Sequence, residues 1–108
     1  MTVTAITDSS FEAEVLQADV PVLVEFGADW CQPCRQIEPI LEELSAQREG
    51  TLRIVSMNVD EQPITSTSLG VTGLPTLMMF RDGLPVLQLI GARPRAVLVA
   101  EVDRALTS

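Results

Sequence analysis

Cys31-Gln32-Pro33-Cys34 pairs two thiols three residues apart, a spacing that lets them share one disulfide and exchange it with another. The pair falls between a β-branched run (Val20 to Phe26) and an apolar pattern of helical period that begins at Cys34. The sulfurs are therefore expected at a strand-to-helix turn, with Cys31 at the helix N-terminus. Unpaired backbone N–H groups and the helix dipole favour a thiolate there, and CxxC cysteines in such settings reach pKa values of about 3.5–7.5. Cys31 is the expected nucleophile. Cys34, one turn further in, is the expected resolving thiol, which attacks a mixed disulfide and releases the reduced partner. Two plainer readings compete. A zinc site needs about four ligands, and two cysteines without histidine supply half of them. A structural disulfide closing so short a loop would stabilise by only about 2 kcal/mol in the chain-entropy model.

The rest of the composition narrows the chemistry. Among 108 residues there are 15 acidic side chains, seven arginines, no lysine and no histidine, for a formal net charge of -8. That balance argues against a phosphate-binding or nucleic-acid surface. The absent histidine removes the usual general base, the usual metal ligand and any Ser-His or Cys-His pair. No metal is expected, and cysteine and carboxylates must carry whatever chemistry there is. With 46% hydrophobic residues the chain has the composition of one globular domain, spanning 1–108 and able to bury roughly two thirds of its unfolded surface. The N-terminus has no basic, apolar leader pattern, and no stretch nears the roughly 20 apolar residues of a membrane span. The reading is a cytoplasmic chain without membrane contact.

The elements that must position the thiols follow from periodicity. Val3 to Ile6 is a candidate short strand, and Ser9 with Glu12 reads as a capping box opening a first helix. Val20 to Phe26 suits a strand buried on both faces. Ile37, Ile40, Leu41 and Leu44 make one face of a long helix ending near Gln47, with Glu38, Glu42 and Glu43 opposite and Pro39 expected to kink it. Leu52 to Val59 is a second interior strand, parallel to the first through a right-handed crossover, and Ile64 to Leu69 a short helix. Thr76 to Phe80 and Leu84 to Ile90 flank Asp82-Gly83, a strong hairpin signal. Val97, Leu98, Val102 and Leu106 form the stripe of a last helix. Helices are expected on both faces of a mixed sheet.

Taken together, Val22 to Arg35 with its Trp30-Cys31-Gln32-Pro33-Cys34 motif, Pro39-Ile40-Leu41, Asn58-Val59-Asp60, Gly73-Leu74-Pro75-Thr76, Phe80-Arg81-Asp82-Gly83 and Gly91-Ala92 resemble the thioredoxin family over nearly the whole chain. The resemblance implies an α/β thioredoxin fold, three α/β/α layers with a central mixed five-stranded sheet and four helices. It implies a protein-disulfide reductase with no bound cofactor, working through a redox-active Cys31–Cys34 disulfide. It also implies recharging by a flavoprotein thioredoxin reductase that uses NADPH, and disulfide-containing client proteins as substrates. Trp30 then stands as an aromatic contact surface beside the nucleophile and Pro33 within the motif. Pro75 matches the family's cis-proline facing the dithiol, where the backbone of Leu74 could pair with an extended substrate. Gly73 and Gly91 fall where the family keeps small residues at the substrate groove. The competing readings are a half-buried core aromatic for Trp30 and ordinary turn glycines for Gly73 and Gly91.

Some residues depart from that pattern. Glu25 occupies the strand position of a buried aspartate that accepts or relays the resolving thiol's proton, and its carboxyl reaches one methylene further. An interior carboxyl should have a raised pKa, which suits proton exchange with a thiol; the alternative is a side chain that bends out to solvent. Ser56 stands in place of a lysine partner of that carboxylate, Gln32 in place of a glycine, and Gly27 where many members carry an aromatic, which leaves a more open neighbourhood.

The leading function is thus dithiol–disulfide exchange on proteins. A monomer is expected, because a groove that admits many clients is poorly compatible with a tight interface. The rival of a different class is a binding module or holdase chaperone with an incidental dithiol. An oxidant or isomerase is disfavoured by the absent export pattern.

Overall fold

In the computed structural model, which describes residues 2–107, the most apolar run of the sequence lies in the middle of a five-stranded sheet. The strands are β1 (Thr4–Ala5), β2 (Val22–Gly27), β3 (Arg53–Asn58), β4 (Thr76–Arg81) and β5 (Leu84–Ile90), in the order β1-β3-β2-β4-β5. β3 pairs parallel with both β1 and β2, while β4 pairs antiparallel with β2 and β5. Asp82 and Gly83, both at positive φ (53° and 79°), close the β4–β5 hairpin as a two-residue turn of this kind requires.

Four helical segments cover the sheet. A 3₁₀ turn (Asp8–Ser10) runs into a π-helical turn (Glu12–Leu16); α1 spans Gln32–Gln47, α2 Pro63–Ser68 and α3 Arg95–Thr107. Residues of β2 and β4 alternate in direction, so Leu23 of β2 and Leu77 and Met79 of β4 meet Ile37, Leu41 and Leu44 of α1 and Leu98 and Val102 of α3. On the opposite face Val24, Phe26, Met57 and Phe80 pack with Phe11 and Val15 of the N-terminal segment. Phe11 meets Phe80 edge to face, centroids 5.7 Å apart. The Asp8 carboxylate accepts from the N–H groups of Ile64 and Thr65 and so ties α2 beside the N-terminal segment. Between α1 and α3, Arg48 donates to both oxygens of Asp103 (3.1 and 3.0 Å), and Arg95 pairs with Glu43. The expected layered architecture, a mixed five-stranded sheet between helices, is the observed one.

One local expectation shifts register. The cap of the first segment is Thr7, whose Oγ1 accepts from the Ser10 N–H (3.2 Å) while the Ser10 Oγ accepts from the Thr7 N–H (3.0 Å), rather than Ser9 with Glu12. The segment winds first as 3₁₀ and then as π, with the Gln17 N–H reaching the Glu12 carbonyl at 3.0 Å, so the spacing rules of a regular α-helix do not hold there. α1, by contrast, continues through Pro39, whose ring faces solvent.

Candidate active site: a disulfide at the head of the long helix

Strand β2 ends at Gly27, and Ala28 to Trp30 turn the chain into α1. The Cys31 N–H bonds to the Ala28 carbonyl (3.1 Å), Cys31 becomes the N-cap in extended geometry, and Pro33 fills the first turn, where a missing N–H does no harm. Cys31 and Cys34 are disulfide-bonded, their Cα atoms 5.3 Å apart. The Cys31 sulfur accepts from the Cys34 N–H at 3.2 Å. A first-turn amide thus points at the sulfur that would bear negative charge on reduction, as thiolate stabilisation requires. Cys31 is 3% exposed and Cys34 fully buried, with Ala28 beside them and Val59 and Leu74 packed against the pair.

Trp30 is 69% exposed, so it is not a core aromatic. Its indole N–H donates to Asp60 Oδ2 at 2.8 Å, which holds the ring at the edge of a groove of about 320 Å³ lined by Val59, Pro63, Val71, Gly73 and Leu74. The Leu74–Pro75 peptide bond is cis. A Cβ at Gly73 would lie 3.2 Å from Ile90 Cγ2, a tight contact to which the exposed Ile90 side chain would have to yield. Gly91 has φ of +89°, which L side chains rarely adopt, and its N–H bonds to the Pro75 carbonyl at 2.8 Å.

Two residues that sequence reasoning assigned no role hold this arrangement together. Asp60 anchors Trp30, and Arg93 Nη1 donates to the carbonyls of Ile90 (2.7 Å) and Gly91 (3.1 Å). Asp60 lies in the Asn58-Val59-Asp60 match, which gave it no role of its own, and Arg93 carries no periodic or motif signal. Arg93→Leu is expected to raise KM for a protein disulfide by roughly three- to tenfold, about 1 kcal/mol of lost turn fixation, while leaving reduction of a small aromatic disulfide unchanged. Arg93→Lys should recover part of the loss. Equal effects on both substrates would show that Arg93 does not act through the groove.

Glu25 lies on the α1 side of β2, in register with Ser56 of β3 and Leu77 of β4. It is 4% exposed, so its side chain does not bend out to solvent. Burial, and secondarily the Glu38 carboxylate, pushes its pKa up to about 7. Among the described residues its Oε2 has no hydrogen-bond partner. A Cβ at Gly27 would lie 3.3 Å from Cys34 Sγ and 3.6 Å from Glu25 Oε2, so the buried carboxyl and the Cys34 sulfur converge on one small residue.

Among the described residues no group of three or more Cys, Asp or Glu side chains is placed to hold a metal ion, and no helix is long and apolar enough to cross a membrane. Residues 2–104 match the family model described as Thioredoxin. The chain is 43% identical over 101 residues to "Thioredoxin 1" of Nostoc sp., covering 94% of each chain. It is 44% identical over 98 residues to the "Thioredoxin" of Pseudomonas aeruginosa, covering 91% of each, and 41% identical over 101 residues to that of Synechocystis sp., covering 94% of each.

Proposed function

This chain belongs to the thioredoxin family, and from that premise we propose the residues through which it performs the family's reaction. The chain is a thiol-disulfide oxidoreductase that reduces protein disulfides by dithiol–disulfide exchange. In the proposed mechanism the Cys31 thiolate attacks a client disulfide, releasing one client thiolate and forming a mixed disulfide. Glu25 takes the Cys34 proton. The Cys34 thiolate then attacks the Cys31 sulfur, the bond to the client breaks, and the second client thiolate leaves and is protonated by solvent. The enzyme ends as the disulfide, two electrons having passed to the client. Trp30, Pro33, Gly73, Leu74 and Gly91 form the proposed client surface with Pro75, the Leu74 backbone pairing with an extended client segment.

The observation that carries this reading is the Cys31 sulfur at the N-cap of α1, facing the Cys34 amide. Further parts of the proposal are a single domain over 1–108, recharging by an NADPH-dependent thioredoxin reductase, disulfide-containing clients, a reducing compartment such as the cytoplasm, and a monomer.

A titration of the Cys31–Cys34 pair in dithiothreitol redox buffers, followed by fluorescence of Trp30, tests the direction of work. The expected result is a reversible two-electron transition near the reference value for thioredoxins, about −270 mV. A midpoint at about −200 mV or above would point to isomerase-like work. No transition, with thiol counting as control, would return the groove to the binding-module reading.

A further inference from the structure

A carboxyl that accepts a proton in each turnover must also lose it, and the surroundings of Glu25 restrict where that proton can go. Facing it from α1 are Cys34, Arg35, Glu38 and Glu42; from the turn after β2 comes Asp29; from β3 comes Ser56 and from β4 the apolar Leu77. The Arg35 guanidinium, a donor with no acceptor atom, donates to the Asp29 carbonyl. Glu38 repels the ionised form of Glu25. The chain contains no lysine or histidine. Among the described residues the polar side chains around Glu25 are thus a guanidinium, other carboxylates, an amide and a hydroxyl, with no nitrogen base to take its proton.

Space is available instead. Gly27 has no side chain and Ser56 a short one. A polar cleft of about 200 Å³ reaches Glu25 past both, with Asn58 on one wall and Arg35 and Glu38 on the other. A second cleft of about 490 Å³, running along β1 and α1, also reaches Glu25 and shares Arg35, Glu38 and Ser56 with the first. Each has room for several waters. The fully buried Cys34 sulfur lies just inside, beside Gly27.

We propose that Glu25 exchanges its proton directly with water in the cleft that Gly27 and Ser56 leave open, so these two residues determine how fast the site can resolve a mixed disulfide. The inference rests on the reading of Glu25 as the acceptor of the Cys34 proton. In each cycle the proton passes from the Cys34 S–H through water to the Glu25 carboxylate. The Cys34–Cys31 bond forms as the Cys31–client bond breaks. Glu25 then returns its proton to the cleft water. Because the route is open, a small base from solution should be able to stand in for the carboxylate.

The test is single-turnover reduction of a disulfide-bonded protein such as insulin by the full chain, with the resolution step followed by Trp30 fluorescence and imidazole as the probe base. Glu25→Ala is expected to slow resolution by about a hundredfold at pH 7. Imidazole should restore at least a tenth of the lost rate, in proportion to its concentration. Adding Ser56→Val or, independently, Gly27→Leu to Glu25→Ala should abolish that restoration by filling the cleft from either side. An unchanged rate in Glu25→Ala would remove the carboxylate from the mechanism altogether. A slow Glu25→Ala that imidazole does not rescue, or rescue undiminished in both filled variants, would leave Glu25 as the acceptor and overturn the open route.

Discussion

Replacing Cys31 by serine is expected to reduce client-disulfide reduction to the background of the assay, a loss of about a thousandfold or more. The serine hydroxyl keeps the N-cap contact with the Cys34 amide, so the head of α1 should remain folded. What disappears is the more exposed of the two cysteines: Cys34 is fully buried, with Ala28 beside it and the side chains of Val59 and Leu74 packed against the pair. Cys34→Ser should behave differently. It retains the attacking thiolate but cannot complete the cycle, so it should accumulate a covalent adduct with the client, visible as a mass increase that dithiothreitol reverses. Turnover surviving in Cys31→Ser, or trapping by Cys31→Ser instead of Cys34→Ser, would invert the assigned roles.

The second large effect concerns stability. Glu25 has a native pKa of about 7 against an ordinary 4.5, because burial disfavours its charged form and Glu38 adds repulsion. Between those two values the folded chain binds more protons than the unfolded chain, so this group makes stability fall as pH rises. Its full favourable contribution is present below about pH 4.5 and is gone above about pH 7, a span of about 3 kcal/mol. Glu25→Leu, which matches the neighbouring Leu23 and Leu77 on the same face of the sheet, should remove that penalty. In the disulfide form, where the sulfurs do not titrate, denaturant unfolding should show the variant more stable than the parent by about 3 kcal/mol at pH 8 and nearly equal to it at pH 4.5. Identical pH slopes for the two chains would show that Glu25 ionises in the fold as freely as in water. The same variant should slow resolution of the mixed disulfide, placing the cost in stability and the gain in function on one side chain.

Much of this was legible from local pattern. The thiol spacing, the helical stripe of Ile37, Leu41 and Leu44, the buried run ending in Phe26 and the Asp82-Gly83 turn each depend on residues close in sequence, and each appears where its pattern places it. Local pattern failed where the backbone left regular geometry. At Thr7 to Leu16 the 3₁₀ and π turns moved the cap two residues ahead of the expected Ser9. Periodicity placed Glu38 on a polar face and could not tell that this face overlooks Glu25, because the distance between α1 and β2 is set by packing.

The chain's own order of residues therefore determined which atoms can react: two thiols at a strand-to-helix turn, one carboxyl on an interior strand, and no histidine or lysine to compete with them. Tertiary structure alone decided which distant groups serve those atoms. Asp60 meets Trp30 across 30 residues, the Gly91 N–H reaches the Pro75 carbonyl, and Gly27 brings Cys34 and Glu25 to the same opening. The physical reason is that reactivity and helix capping are written in neighbours a few residues apart, whereas burial and cleft shape arise only when strands and helices pack.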